Sequence, residues 1–167
     1  DTASQRLVMP NYDTNTAPLL RGRCLKTLPH RAEHEYGSGV IAKGKQARVI
    51  AGEQKYTGDV TIPESVEYNG VAYNVTSIGD NAFAYCKGLT KVSIGFSVKS
   101  IGAQIFQNCS NLTSVYWHAT DCSDFTDHYL APFDDCVTYF YFGDTVEHIP
   151  AFLCNGLSNL TSIEIPQ

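Results

Sequence analysis

The sequence predicts a short solenoid of the α/β class, rich in β-structure and built from about four coils. The phrase IGDNAFAYCKGLTKVSI at residues 78–94 recurs as IGAQIFQNCSNLTSVYW at residues 101–117, one period of 23 residues later. A third copy, IPAFLCNGLSNLTSIEIP, aligns with them without a gap from Ile149 to Leu160. Repeats with a period of about 20 to 50 residues are typical of proteins in which each unit buries its apolar side against the next.

The spacing inside each copy predicts one turn followed by one strand. LTKVSI, LTSVYW and LTSIEI alternate apolar and polar residues, which is the period of a half-buried strand. The turn before each strand, AFAYC in the first copy, is too short for a long helix and predicts one helical or 3₁₀ turn. The apolar positions should stack into ladders through the core. In the three copies they are Ile78, Ala82, Phe83, Cys86, Leu89, Val92 and Ile94; then Ile101, Ile105, Phe106, Cys109, Leu112, Val115 and Trp117; then Ile149, Leu153, Cys154, Leu157, Leu160, Ile163 and Ile165.

Two less regular units complete the predicted solenoid. APFDDCVTYFYFGDTVEHIP, residues 131–150, matches the repeat once two residues are deleted, and it places Phe133 and Cys136 in the positions of Phe83 and Cys86. Upstream, the strand at Val60–Ile62 begins an incomplete opening coil. We therefore predict a solenoid over residues 57–167, with coils near 57–77, 78–100, 101–122, 123–148 and 149–167.

Residues 1–56 do not fit the repeat. The first part is polar and lacks periodicity, which predicts a tail outside the solenoid. GVIAKGKQARVIAG predicts a β-hairpin with its turn near GKQ. A solenoid needs its open ends covered, so we expect this hairpin to form an N-terminal cap.

The repeated phrases, with DVTIPESV before them, resemble the BspA-type leucine-rich repeats of bacterial surface proteins. The resemblance covers about two thirds of the chain, residues 57–167. It implies a leucine-rich-repeat right-handed superhelix with a β-sheet on one side. It also implies an extracellular or cell-surface protein that binds or adheres to a protein partner and has no enzymatic activity. The shortened copy, the longer loop before it and Cys154, where the motif has Phe, depart from the pattern.

Composition narrows the classes of partner. The 167-residue chain carries 17 acidic and 12 basic residues, a net charge of −5, which disfavours binding to nucleic acid or to an anionic membrane surface. No apolar run approaches the roughly 20 residues of a transmembrane segment. The chain begins at Asp1 without the pattern of a signal peptide, and we expect a mature form of an exported protein.

The outward positions of the predicted strands form the candidate binding surface. Tyrosine offers a large contact area at little entropic cost, and three tyrosines should lie on neighbouring strands. We expect a protein or a host extracellular-matrix ligand here. The alternative ligand is a glycan stacked on the tyrosines, and tyrosine also suits an exposed strand without any binding role. The residues are Lys91, Ser93, Ser114, Tyr116, Tyr139, Tyr141, Ser162 and Glu164.

The stretch HATDCSDFTDHY, residues 118–129, is a further alternative site. Imidazole, thiolate and carboxylate groups are ligands for transition metals, and this stretch contains His118, Asp121, Cys122 and His128. Their spacing matches no zinc signature, and a solvated loop insertion explains the same composition. We therefore predict no bound metal and no other cofactor.

The cysteines do not predict catalysis. Cys86, Cys109 and Cys136 occupy one ladder position, where a thiol is an apolar filler rather than an activated nucleophile. Cys24 and Cys122 lie outside the ladder and are the better candidates for oxidation. With no glycine-rich phosphate loop, the sequence favours a binding module over an enzyme.

Overall fold

Eleven strands and one 3₁₀ turn make up the regular structure that a computed structural model describes for residues 5–6, 39–43, 46–52, 55–68 and 71–166. The fold is a β-solenoid of about four turns. The strands are β1 Gln5–Arg6, β2 Gly39–Lys43, β3 Gln46–Ile50, β4 Thr57–Ile62, β5 Ser65–Tyr68, β6 Val71–Ile78, β7 Gly88–Ile94, β8 Ser100–Ile101, β9 Ser114–Trp117, β10 Tyr139–Phe142 and β11 Ser162–Glu164. The 3₁₀ turn is His128–Leu130.

The main sheet contains β1 and one strand from each of the five coils, in the order β1-β4-β7-β9-β10-β11, and all neighbouring strands are parallel. The register is the one that the repeat alignment predicts. Val92 pairs with Val60 and Val115, and Phe140 pairs with Val115 and Ile163. The shortened copy therefore keeps its strand in step with the regular copies.

A second sheet, in the order β2-β3-β6-β5, lies beside the main one. Strands β2 and β3 pair antiparallel, which confirms the predicted hairpin, and β3 continues in parallel with β6. Strand β5 pairs antiparallel with β6, and β8 pairs in parallel with β6. Beyond these strands, single backbone hydrogen bonds join successive coils on the same side of the solenoid. Lys99 N donates to Thr76 O at 2.8 Å, and Ser123 N donates to Lys99 O at 2.9 Å.

Most of the predicted N-terminal tail lies outside the described residues, as do Cys24 and the turn of the hairpin. Gln5–Arg6 is described, and it forms β1 against β4. This strand was not expected from the sequence, because two residues carry no periodicity.

The turns between the sheets differ from the predicted single helical or 3₁₀ turn. The described residues contain no α-helix, so the α part of the predicted class is not found there, and no described helix is long and apolar enough to cross a membrane. Asn81 and Tyr85 instead have φ of 55° and 63°, and the equivalent Gln104 and Asn108 have φ of 53° and 57°. These left-handed residues divide each segment into successive tight turns instead of one continuous helix.

Backbone donors of these turns bond across the coils. The N–H groups of Asn81, Phe83 and Tyr85 donate to the carbonyls of Ala103, Ile105 and Gln107 at 3.0, 2.8 and 2.7 Å. A helix would use such groups within its own segment. The turn side is therefore a second hydrogen-bonded ladder between coils, and it satisfies groups that burial would otherwise leave unpaired.

A stack of phenylalanines fills the core beneath the turns. Phe83, Phe106 and Phe133 lie in successive coils with ring centroids 5.2 Å apart at each step and interplanar angles of 15° and 8°. All three side chains are buried. Phe133 thus occupies the core position that the alignment with the shortened copy predicts.

The cysteine ladder is also formed. Cys109 Sγ donates to Phe83 O at 3.1 Å, and Cys136 Sγ donates to Cys109 O at 3.3 Å. The described cysteines all carry free thiols; they are Cys86, Cys109, Cys122, Cys136 and Cys154. Cys122 was expected to lie outside this ladder and to be open to oxidation, but its side chain is fully buried, which disfavours oxidation.

The last coil keeps the register but not the burial that the alignment predicts. Ile163 pairs with Phe140, yet it is 51% exposed, and Ile165 is 63% exposed. Within the described residues, β11 has a strand neighbour on one side only. Leu153 and Leu157 of the same coil are buried.

We predict that Phe106→Ala destabilises the protein by about 3–5 kcal/mol, because it removes the middle ring of the stack and leaves a cavity that rigid neighbours cannot fill. Urea unfolding followed by circular dichroism measures the change. Phe96→Ala is the matched control, since Phe96 is 46% exposed, and it should cost less than about 1 kcal/mol. Equal losses in the two variants would contradict the stacking account.

Candidate functional site

Two rows of outward residues cross the main sheet, and together we call them the tyrosine face. Strand pairing sets each row, since neighbouring strands bring equivalent residues about 4.8 Å apart. The first row contains Asp59, Lys91, Ser114, Tyr139 and Ser162; the second contains Thr61, Ser93, Tyr116, Tyr141 and Glu164.

Three tyrosines form the centre of this face. The ring centroid of Tyr116 lies 5.7 Å from that of Tyr139 and 5.5 Å from that of Tyr141, with interplanar angles of 53° and 43°. These tilted contacts lie within the favourable range for aromatic pairs. His118 extends the cluster, with its ring 5.8 Å from that of Tyr141. All four side chains are half-buried, so the rings support one another and still present surface to solvent.

Carboxylates hold two of the hydroxyl groups. Tyr139 donates to Glu164 Oε2 at 2.8 Å, and Tyr141 donates to Asp144 Oδ1 at 3.3 Å. The Glu164 carboxylate favours the neutral phenol and raises the pKa of Tyr139 to about 12. Loss of hydration, followed by the charge of Asp144, raises the pKa of Tyr141. Both hydroxyls are therefore neutral at physiological pH.

Lys91 forms the other edge of the cluster. Its Nζ lies 2.6 Å from Asp59 Oδ2 and 5.6 Å from the ring centroid of Tyr116. The hydrogen bond to Asp59 raises the pKa of Lys91. The ammonium group is thus placed over an aromatic ring, although a partly exposed pair of this kind contributes little to stability.

The sequence placed Lys91, Ser93, Tyr116, Tyr139, Tyr141 and Glu164 on one surface, and the structure brings them to that surface. The sequence analysis did not assign Asp59, His118 or Asp144 to this surface. Asp59 and His118 follow the strand alternation, two residues before Thr61 and two after Tyr116, so that signal could have found them. Asp144 lies in the turn after β10, where no periodicity identifies it.

The residues of the alternative metal site do not converge. His118 contacts the tyrosine face, Asp121 pairs with Lys99 at 3.6 Å, and His128 lies 2.9 Å from Asp127. Burial raises the pKa of the Cys122 thiol to about 11, which disfavours the thiolate that a metal requires. No group of three or more potential metal ligands occurs within the described ranges. The geometry therefore does not support the metal hypothesis.

The same loop is not a solvated insertion either. Ala119, Cys122 and Phe125 are buried in the core. Asp124 Oδ1 accepts a hydrogen bond from Ala151 N at 2.8 Å and lies 2.8 Å from His148 Nε2. The Ala151 N–H, followed by His148, lowers the pKa of Asp124. Through Asp124 the loop thus joins the fourth coil to the last one.

A model of a known protein family matches most of this solenoid. The family model described as the BspA type leucine rich repeat region matches residues 60–167, in six copies. The crystal structure of a leucine-rich repeat protein from Bacteroides capillosus is similar with a TM-score of 0.54 and 24% identity, over 74% of this chain and 88% of that one. No curated protein sequence matches this chain.

Two further crystal structures are similar at lower scores. A leucine rich cell surface protein from Faecalibacterium prausnitzii has a TM-score of 0.44 and 19% identity, over 80% of this chain and 51% of that one. A leucine-rich repeat protein from Bacteroides ovatus has a TM-score of 0.46 and 19% identity, over 75% of this chain and 38% of that one.

We predict that Glu164→Gln lowers the pKa of Tyr139 from about 12 toward 10, because the charge that favours the neutral phenol is removed. Titration of ring-labelled tyrosines by NMR, with Tyr139→Phe for assignment, measures the change. Glu147→Gln removes an exposed carboxylate with no described tyrosine contact and should leave the value near 12. If the pKa of Tyr139 were unchanged in Glu164→Gln, the Glu164 carboxylate would not be the cause of the raised pKa.

For Asp124, we predict that the Asp124→Asn variant is less stable than the native chain at pH 6. The folded-state pKa of Asp124 lies below its value in the unfolded chain. This stabilisation is therefore complete above the unfolded pKa and is lost as pH falls through the folded pKa. Urea unfolding at several pH values should show a difference at pH 6 that shrinks in acid. A difference that is independent of pH would contradict the ionic account.

Proposed function

Because this chain belongs to the BspA type leucine rich repeat family, we propose that it is a non-catalytic binding and adhesion module of a surface or secreted bacterial protein. The proposed partner is a protein, including proteins of a host extracellular matrix, and the tyrosine face is the recognition surface. The cluster of Tyr116, Tyr139 and Tyr141 carries this proposal. Rigid aromatic side chains in mixed polar surroundings are typical of the residues that dominate protein interfaces.

The side chains of the tyrosine face are preorganised for binding. Glu164 and Asp144 hold two of the hydroxyls, and Asp59 holds Lys91 against Tyr116. Side chains held in this way lose less conformational entropy on binding, and that loss is one of the main costs of association. Most of the residues lie on paired strands, which position side chains more accurately than loops do.

The proposed absence of catalysis is supported by the state of the thiols. Burial raises the pKa of both Cys122 and Cys154 to about 11, which is opposite to the change that activates a nucleophile. The hydrogen bond with Cys109 lowers the pKa of Cys86, but Cys86 is only 1% exposed and cannot reach a substrate.

The alternative for this face is carbohydrate binding. A sugar stacks best on a flat, accessible ring, whereas these rings incline by 43° and 53° to one another and two hydroxyls already donate to carboxylates. An uneven surface of aromatic edges and charges is better matched by protein side chains. The geometry therefore favours the protein partner.

The hairpin β2–β3 is proposed to cover the N-terminal end of the second sheet. Strand β3 lies outside β6, and its Ala47 and Val49 side chains are buried. Apolar residues in this position remove a solenoid end from water, which is the purpose of a cap.

We predict that the double variant Tyr116→Ala, Tyr141→Ala binds its protein partner at least about tenfold more weakly, because it removes two central aromatic contacts. Pull-down from extracellular-matrix proteins identifies the partner, and surface plasmon resonance measures the affinity. The melting temperature should change little, since both side chains are only half-buried.

The matched control for this experiment is Tyr85→Ala combined with Tyr129→Ala. These tyrosines are 53% and 76% exposed and lie outside the tyrosine face. The control should bind like the native chain. Unchanged binding in the Tyr116, Tyr141 variant, or an equal loss in the control, would show that the tyrosine face is not the binding surface.

A further inference from the structure

A groove of about 400 Å³ opens on the turn side of the solenoid and shares no residue with the tyrosine face. Three coils line the groove. The third coil contributes Gln104 and Gln107, and the fifth contributes Asn155. Between them the fourth coil contributes Tyr129, Asp134 and Asp135. The volume lies within the range of small-molecule sites in proteins.

The groove lies where the ladder of the turn side is interrupted. The second and third coils are joined there by three backbone hydrogen bonds, from Asn81, Phe83 and Tyr85. Between the third and fourth coils the described residues make one such bond on this side, Phe106 N to Pro132 O at 3.3 Å. The Asp134 carboxylate accepts the neighbouring donor, Asn108 N, at 2.8 Å.

An irregular entry into the fourth coil accompanies this interruption. Phe133 and Cys136 keep the three-residue spacing of the regular copies, and the two missing residues fall after Cys136, before the strand. The 3₁₀ turn His128–Leu130 leads into the fourth-coil turn at this point. The groove lies between this segment and the turns of the third and fifth coils.

One wall of the groove is aromatic. Tyr129 is 76% exposed, and its ring centroid lies 3.8 Å from that of His128. Asp127 holds both residues, since its Oδ1 accepts from Tyr129 N at 3.1 Å and lies 2.9 Å from His128 Nδ1. The exposed ring offers a flat surface for stacking.

The remaining lining is polar and supplies both donors and acceptors. The side-chain amides of Gln104 and Gln107 make no hydrogen bond to any residue that the structure describes, so they are available to a ligand. The carboxylates of Asp134 and Asp135 add acceptors, and no Lys or Arg lines the groove. This charge balance repels anions, and the polar lining disfavours a purely apolar ligand.

From this arrangement we infer that the groove binds a neutral sugar residue of a glycan, with one sugar face stacked on Tyr129. Sugar hydroxyls both donate and accept, so they match a mixture of amides and carboxylates. This site is separate from the proposed protein-binding face, and each stands without the other.

The test is a glycan array that carries neutral hexose and N-acetylhexosamine oligosaccharides beside sialylated and sulfated ones, probed with the whole chain. We expect binding to neutral glycans, with isothermal titration calorimetry giving the affinity for the oligosaccharide bound most strongly. Tyr129→Ala should weaken that affinity about tenfold. Gln107→Ala should weaken it severalfold and provides a second variant that leaves the aromatic wall intact.

Two controls separate this site from other surfaces. Tyr85→Ala removes an exposed tyrosine from the turn of the second coil, outside the groove, and should leave glycan affinity unchanged. The Tyr116→Ala, Tyr141→Ala variant should also bind the glycan normally while losing the protein partner. The inference is overturned if no glycan binds, if anionic glycans are preferred, or if glycan affinity follows Tyr116 and Tyr141 instead of Tyr129.

Discussion

Parallel register between successive coils is the constraint on which the rest of this structure depends. Each pair of strands places inward residues such as Val92 and Val115 over one another, and the same pairing places outward residues such as Ser93 beside Tyr116. A slip of one residue would exchange the two faces, so the core and the surface are specified together. The tyrosine face therefore exists because the core residues that alternate with it have no other favourable register.

Much of this arrangement could be predicted from the sequence, because a repeated core leaves a periodic pattern. The inward positions and the candidate surface residues followed from alternation alone. The exposure of Ile163 and Ile165 could not be predicted in this way. A periodic pattern marks a residue as inward, but burial also requires a neighbouring coil that covers it. Each turn was predicted as one helical or 3₁₀ turn, whereas the structure has successive tight turns there. Short segments rich in Ala, Phe and Asn fit both conformations, and hydrogen bonds to the next coil decide between them.

The solenoid tolerates one irregular coil because its stabilising contacts are not all lost at the same place. The ladder of the turn side is weakened between the third and fourth coils, yet Phe106 still stacks on Phe133 at 5.2 Å and β9 still pairs with β10. In a repeat protein, stability is approximately a sum over neighbouring units. A local loss on one side can therefore persist when the other sides remain intact, and the space that it leaves is open to a ligand.

The fourth coil contributes to both proposed surfaces, and its core connects them. Tyr139 and Tyr141 project from β10 to the tyrosine face, while Tyr129 and Asp134 line the groove. Between these surfaces, Phe133 packs edge-on against Phe140, with ring centroids 5.6 Å apart. A regular coil would supply the same core contacts, but its turn would not be interrupted. A fourth coil without these phenylalanines would lose the packing that keeps β10 in register. The fourth coil thus departs from the repeat in its turn while it keeps the stacked phenylalanines and the strand register, so recognition can change at a small cost in stacking.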